Sequence, residues 1–149
     1  MAPQTTLEIA ALRQLAARVL RQRAGPDAGA AAVAAAARRA GDELAPPLAP
    51  LIGVVGIDAL AARALHLAQR EYPWLEKTRD LEHREGLFAH VGFSLEQQDP
   101  AVAADAAAAV LATFAGLLVR VIGETLAARL LRQAWPDGFS EVATEETGA

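Results

Sequence analysis

Residues 99–136 read DPAVAADAAAAVLATFAGLLVRVIGETLAARLLRQAWP, and their reading decides the fold. Asp99 can cap a helix, and Pro100 suits its first position, where the N–H that proline lacks would have no partner anyway. Val110, Leu111, Phe114, Leu118, Val121, Ile122 and Leu126 then recur at helical spacing. One helix from about residue 100 to 135 would extend about 50 Å, longer than a small domain is wide. The stretch is therefore a single C-terminal spine, or two helices broken near Gly116 or Gly123.

The rest of the chain fits around such a spine. Of 149 residues, 53% are hydrophobic but only 5% aromatic, so alanine supplies much of the apolar content. Alanine favours helices and fills cores poorly, which predicts closely packed helices with small residues at their contacts. No alternating β-branched run and no Asn-Gly turn occurs. The expected class is all-α: one bundle of four to six helices over residues 1–136, then a disordered acidic tail over 137–149. The net charge of −4 resides in that tail, in Asp137, Glu141, Glu145 and Glu146, and leaves the body neutral. A neutral body with thirteen scattered arginines and one lysine is a poor footprint for nucleic acid.

Upstream, Thr5 and Glu8 form a capping box that opens a first helix ending at Gly25-Pro26. Asp27 is placed to cap a second helix through about Leu44, an alanine-rich segment with little to bury. Ala45-Pro46-Pro47-Leu48-Ala49-Pro50 reads as a rigid hinge, and a third helix follows from Pro50 to Tyr72. Its front, Leu51–Ile57, is apolar on every side and is expected to be buried. Gly53 and Gly56 there, with Gly116 and Gly123 of the last helix, are expected to let the two helices approach closely. Residues 76–98 read as one or two short helices interrupted at Gly86 and Gly92. The form L-A-A-R-x-L-basic occurs at Leu15, Leu60 and Leu126, the last two preceded two residues earlier by Asp58 and Glu124. Spacings of 45 and 66 residues set no fixed period, and in so biased a composition chance is the simpler reading.

Candidate chemistry is sparse. Arg63, His66 and Arg70 form a narrow stripe on the third helix, suited to an anion or an acidic partner, and otherwise a solvated face. Arg120 and Glu124 are one turn apart within the most apolar helix. With Asp58 they would make a ligand site or, more simply, an ion set that fixes helix register or faces water. Trp74 and Trp135 mark helix ends and either lock them onto the body or present a contact surface. The histidines His66, His83 and His90 show no metal-ligand spacing, and with no cysteine there is no thiolate site or disulfide. Neither serine, Ser94 nor Ser140, lies in a nucleophile motif, and no phosphate-binding glycine loop is present.

These observations predict a non-catalytic interaction or regulatory module without a cofactor or metal. It would bind a protein partner or itself through a surface around Arg63, His66, Arg70 and Trp74. A small-molecule binder or enzyme with a pocket between helices 50–72 and 100–135, using Asp58, Arg120 and Glu124, is the first alternative. Peripheral membrane association through Leu51–Ile57 is the second. Insertion is not expected: Ala106–Val119 gives fourteen uncharged residues, against about 20 needed to span. The opening MAPQTTLEIAALRQ lacks the basic-then-apolar pattern of a signal peptide, so a cytoplasmic location is expected.

Overall fold

The computed structural model describes residues 8–75 and 91–138. The fold is all-α, and among the described residues five α-helices follow in order: α1 (Ile9–Ala24), α2 (Ala30–Ala68), α3 (Gly92–Glu96), α4 (Pro100–Ile122) and α5 (Glu124–Ala134). The expected spine is two helices, α4 and α5, broken at Gly123 rather than at Gly116. Asp99 and Pro100 open α4 as the sequence predicts, although the Asp99 side chain makes no capping hydrogen bond. The expected residue Thr5, the segment 76–90 with Glu82, His83, Gly86 and His90, and residues 139–149 of the expected tail lie outside the described residues.

α1 buries Leu12, Leu15, Ala16, Val19 and Leu20, one face of a helix by their three- and four-residue spacing. It ends at Gly25, whose φ of 86° only glycine adopts freely and whose N–H bonds the Arg21 carbonyl.

α2 departs most from expectation. Its N-cap is Gly29 instead of Asp27, and the helix runs unbroken through Pro46, Pro47 and Pro50. Each proline frees the carbonyl four residues earlier. Those carbonyls belong to Asp42, Glu43 and Pro46, none of them buried, so water can satisfy them. Leu44 and Leu48, one turn apart, are fully packed against the core and hold the helical path between the prolines. The bend comes at Gly53 (φ 75°, ψ 166°). The alanine-rich front, read as having little to bury, is instead a core element. Val33, Ala34, Ala36, Ala37 and Ala40 are all buried, and α2 packs most extensively on α4. Small side chains make that contact by letting the backbones come close.

α4 lies at the centre, against both α2 and α1. Leu12 of α1 faces Gly116 of α4, whereas Leu20 and Ala104 line a common groove, so α1 and α4 are antiparallel. Val33 shares that groove with Pro100 and Ala101, so α2 and α4 set out from the same end of the bundle.

The two long helices share a plan. Residues 30–52 and 100–122 are limbs of equal length, each ended by an Ile-Gly pair with the glycine at positive φ: Gly53 and Gly123 (φ 93°, ψ 157°). Buried positions correspond along the limbs: Val33, Ala36, Ala37, Ala40, Leu44 and Leu48 match Ala103, Ala106, Ala107, Val110, Phe114 and Leu118. Beyond the glycines the match continues with a shift of four residues, one helical turn: Ala64, Leu65 and Ala68 match Leu130, Leu131 and Ala134. The second and third L-A-A-R motifs share this shifted register, beginning seven residues past Gly53 and three past Gly123.

The residues that follow α5 close on α1 and α2. Trp135 is buried, and its Nε1–H donates to the Ala40 carbonyl at 3.1 Å. Arg18 and Gln22 of α1 donate to the carbonyls of Gly138 (3.3 Å) and Asp137 (3.2 Å). Packing thus continues two residues past the expected boundary at 136. Arg23 of α1 pairs with Glu43 of α2 at 2.8 Å.

Candidate docking surface

The residues singled out in the sequence are mostly solvated. Asp58, Arg63 and His66 are exposed on the second limb of α2, Arg70 is exposed in the turn that follows it, and Arg120 and Glu124 are exposed on either side of Gly123. The ion set considered for Asp58, Arg120 and Glu124 is not buried: all three side chains are exposed. Trp74 is half-buried and meets the Tyr72 ring edge-on, with centroids 5.9 Å apart.

The expected glycine-lined contact between helices 50–72 and 100–135 is not present. A methyl group added to Gly53 or Gly123 would meet nothing within 4 Å, and one on Gly56 would meet only Ile52 of the same helix. Gly116 faces α1, with Leu12 Cδ1 4.0 Å from its added methyl. Gly53 and Gly123 serve to turn the chain, not to bring helices together.

The expectation of burial for Leu51–Ile57 is also reversed. Leu51 is 50% exposed, Val54 67% and Val55 82%, while Ile52 and Ile57 are partly buried. The equivalent turn at Gly123 exposes Val121. Because α2 and α4 start together and their first limbs are equal in length, both turns lie toward the far end of the bundle. α1 begins there as well: Ile9, one turn before Leu12, is exposed. Of the six large hydrophobic side chains exposed among the described residues, five (Ile9, Leu51, Val54, Val55 and Val121) thus gather at one end, and only Val102 lies elsewhere. The charged residues nearest these side chains in the chain include Glu8, Asp58, Glu124 and Arg120, all exposed, and Arg13, one turn after Ile9, which pairs with Glu71. The sequence signal was present, an uncharged run around Gly53, but helical periodicity alone does not tell a buried all-apolar segment from a projecting one.

By length and composition α2 and α4 are apolar enough to cross a membrane. They differ in what the bundle covers: 61% of the most apolar window of α4 is buried, against 17% for α2.

A groove of about 650 Å³ lies at the opposite end of the bundle. Ala17, Leu20, Ala24, Val33 and Ala104 form its apolar wall, and Arg21, Asp27 and Asp105 are its charged residues. It is not the expected pocket between helices 50–72 and 100–135. On the flank, Arg13 pairs with Glu71 beside Tyr72. Burial, then the Glu71 charge, push the Tyr72 hydroxyl above its ordinary pKa, while Arg13 acts in the opposite direction. The hydrogen bond that the Arg13 guanidinium donates to Glu71 raises the Arg13 pKa above its ordinary value. Among the described residues no group of three or more His, Asp or Glu side chains is placed to hold a metal ion. The chain matches no family model, no curated protein and no solved structure.

Proposed function

We propose that this chain is a non-catalytic helical interaction module whose contact surface is the apolar end formed by the turns at Gly53 and Gly123. The observation that carries this reading is the gathering of exposed aliphatic side chains at one end of an otherwise well-filled bundle. Monomeric proteins scatter such residues singly, and a contiguous apolar patch marks a surface that another molecule covers. This moves the contact surface away from the Arg63, His66 and Arg70 stripe, whose solvated side chains lie on the flank.

The test is site-specific photocrosslinking in the source cells. A benzophenone side chain placed at position 55 is expected to give one discrete adduct. The same group at position 102, the exposed aliphatic site elsewhere, gives none. An adduct only from position 63 returns the contact to the arginine stripe, and no adduct from position 55 refutes the proposal.

A second reading, a small-molecule binder, is favoured by the groove beside Leu20 and Val33. Its volume falls within the range of roughly 300–1,000 Å³ common for ligand pockets. Native mass spectrometry of the purified chain would show a retained ligand, lost on Ala104→Trp.

A further inference from the structure

We propose that the apolar end docks a protein surface with an apolar centre and an edge of lysine or arginine side chains. This rests on the interaction-module reading and names its partner's chemistry.

The charges around the patch carry the argument. Three exposed carboxylates, Glu8, Asp58 and Glu124, adjoin it; the nearest cations in the chain are Arg120 and Arg13, one turn after Ile9, and Arg13 is already paired with Glu71. Each carboxylate sits at the base of an apolar projection. Glu8 precedes Ile9, Asp58 follows Val54 and Val55 by one turn, and Glu124 follows Gly123 directly. Asp58 and Glu124 each stand two residues before an L-A-A-R motif, five positions past Gly53 and one past Gly123. Each apolar turn is therefore followed within five residues by an exposed carboxylate.

A partner edged by cations satisfies all three carboxylates while its centre covers Leu51, Val54 and Val55. A bilayer with anionic headgroups would meet the same carboxylates with repulsion, and the patch has no Trp or Tyr to sit at a membrane interface. A second copy placed end to end would oppose three carboxylates to three. Complementary charge sets partner choice and approach, and the aliphatic centre supplies the contact area.

The experiment uses the full chain and two fluorescent amphipathic model helices with the same leucine face, one with a lysine face and one with a glutamate face. Fluorescence anisotropy is expected to show the Leu/Lys helix binding at least tenfold more tightly, with affinity falling as salt rises. The pair Asp58→Asn and Glu124→Gln is expected to weaken that binding roughly fivefold and flatten its salt dependence. Val54→Ser with Val55→Ser is expected to abolish it without lowering the melting temperature, since both side chains are exposed.

Equal binding of the two helices, or unchanged binding by the serine variant, overturns the proposal. So does flotation with phosphatidylcholine vesicles, or a concentration-dependent dimer, if the serine variant removes it; those outcomes assign the end to a bilayer or to a second copy. A crosslink at position 55 without preference for the Leu/Lys helix would retain the module reading and discard this partner chemistry.

Discussion

Replacing Gly53 or Gly123 with alanine should lower stability by similar amounts, and by a mechanism that excludes packing. Both glycines hold a backbone conformation (φ 75°, ψ 166° and φ 93°, ψ 157°) that is essentially confined to glycine. Holding another residue there costs about 1–3 kcal/mol. An added methyl meets nothing within 4 Å at either position, so no clash and no new contact enters the sum. Each variant should therefore lose about 1–3 kcal/mol, or roughly 2–12 °C in melting temperature for a chain of this size. Gly116→Ala is the opposing control. It lies inside α4, its methyl would make ordinary contact with Leu12 Cδ1 at 4.0 Å, and the helix should gain about 0.5–1 kcal/mol. Urea and thermal unfolding followed by far-UV circular dichroism would measure all three. If Gly53→Ala and Gly123→Ala are tolerated as well as Gly116→Ala, the turns are not held by these glycines and the shared plan of the two limbs fails with them.

Two further outcomes follow from the core and the flank. Trp135→Phe removes the indole donor to the Ala40 carbonyl and part of a fully buried ring, and should cost about 1–3 kcal/mol, whereas Trp74→Phe at a half-buried site should cost less, by urea unfolding. Tyr72 is the only tyrosine, so tyrosinate absorbance reads it directly. Its midpoint should lie above the usual value of about 10 in the folded chain, return there in denaturant, and fall in Glu71→Gln, which removes a raising charge and frees Arg13. Since the folded pKa is the raised one, the stability linked to Tyr72 is complete below the unfolded pKa and is lost as pH rises through the folded one. A native midpoint at or below the denatured one would refute this account.

The helical class was legible in the sequence, and so were the α1 boundary at Gly25 and the opening of α4 at Asp99-Pro100. What misled was local strength overridden by tertiary contact. Pro46, Pro47 and Pro50 read as a hinge because each removes a helical hydrogen bond. The buried pair Leu44 and Leu48 keeps the helix continuous, and Asp42, Glu43 and Pro46, the residues four before the prolines, are not buried. The alanines of residues 30–40 offer little large apolar surface by sequence, yet small side chains are what a closely approaching α4 requires. Gly53 and Gly123 were legible as special, but spacing does not distinguish a glycine that admits a neighbour from one that turns the chain; the sign of φ does. The candidate surface was half legible. Leu51–Ile57 was found by its lack of charge, but its exposure depended on where the first limb ends relative to the core, and Ile9 and Val121 join it only in three dimensions.

The closure of residues 135–138 onto α1 and α2 has a consequence for how the chain is made. α1 and α2 are synthesised first, yet Leu15 and Val19 are covered in part by Gly138, and the Ala40 carbonyl receives Trp135. The hydrogen bonds that make this closure join residues 95, 115 and 120 positions apart. Such separations slow folding relative to bundles built from neighbouring helices. Until residues 135–138 have emerged from the ribosome, those faces of the earlier helices lack their native cover, and their apolar surface is open to chaperones and to aggregation alike. The native bundle is completed only once that segment is available to dock.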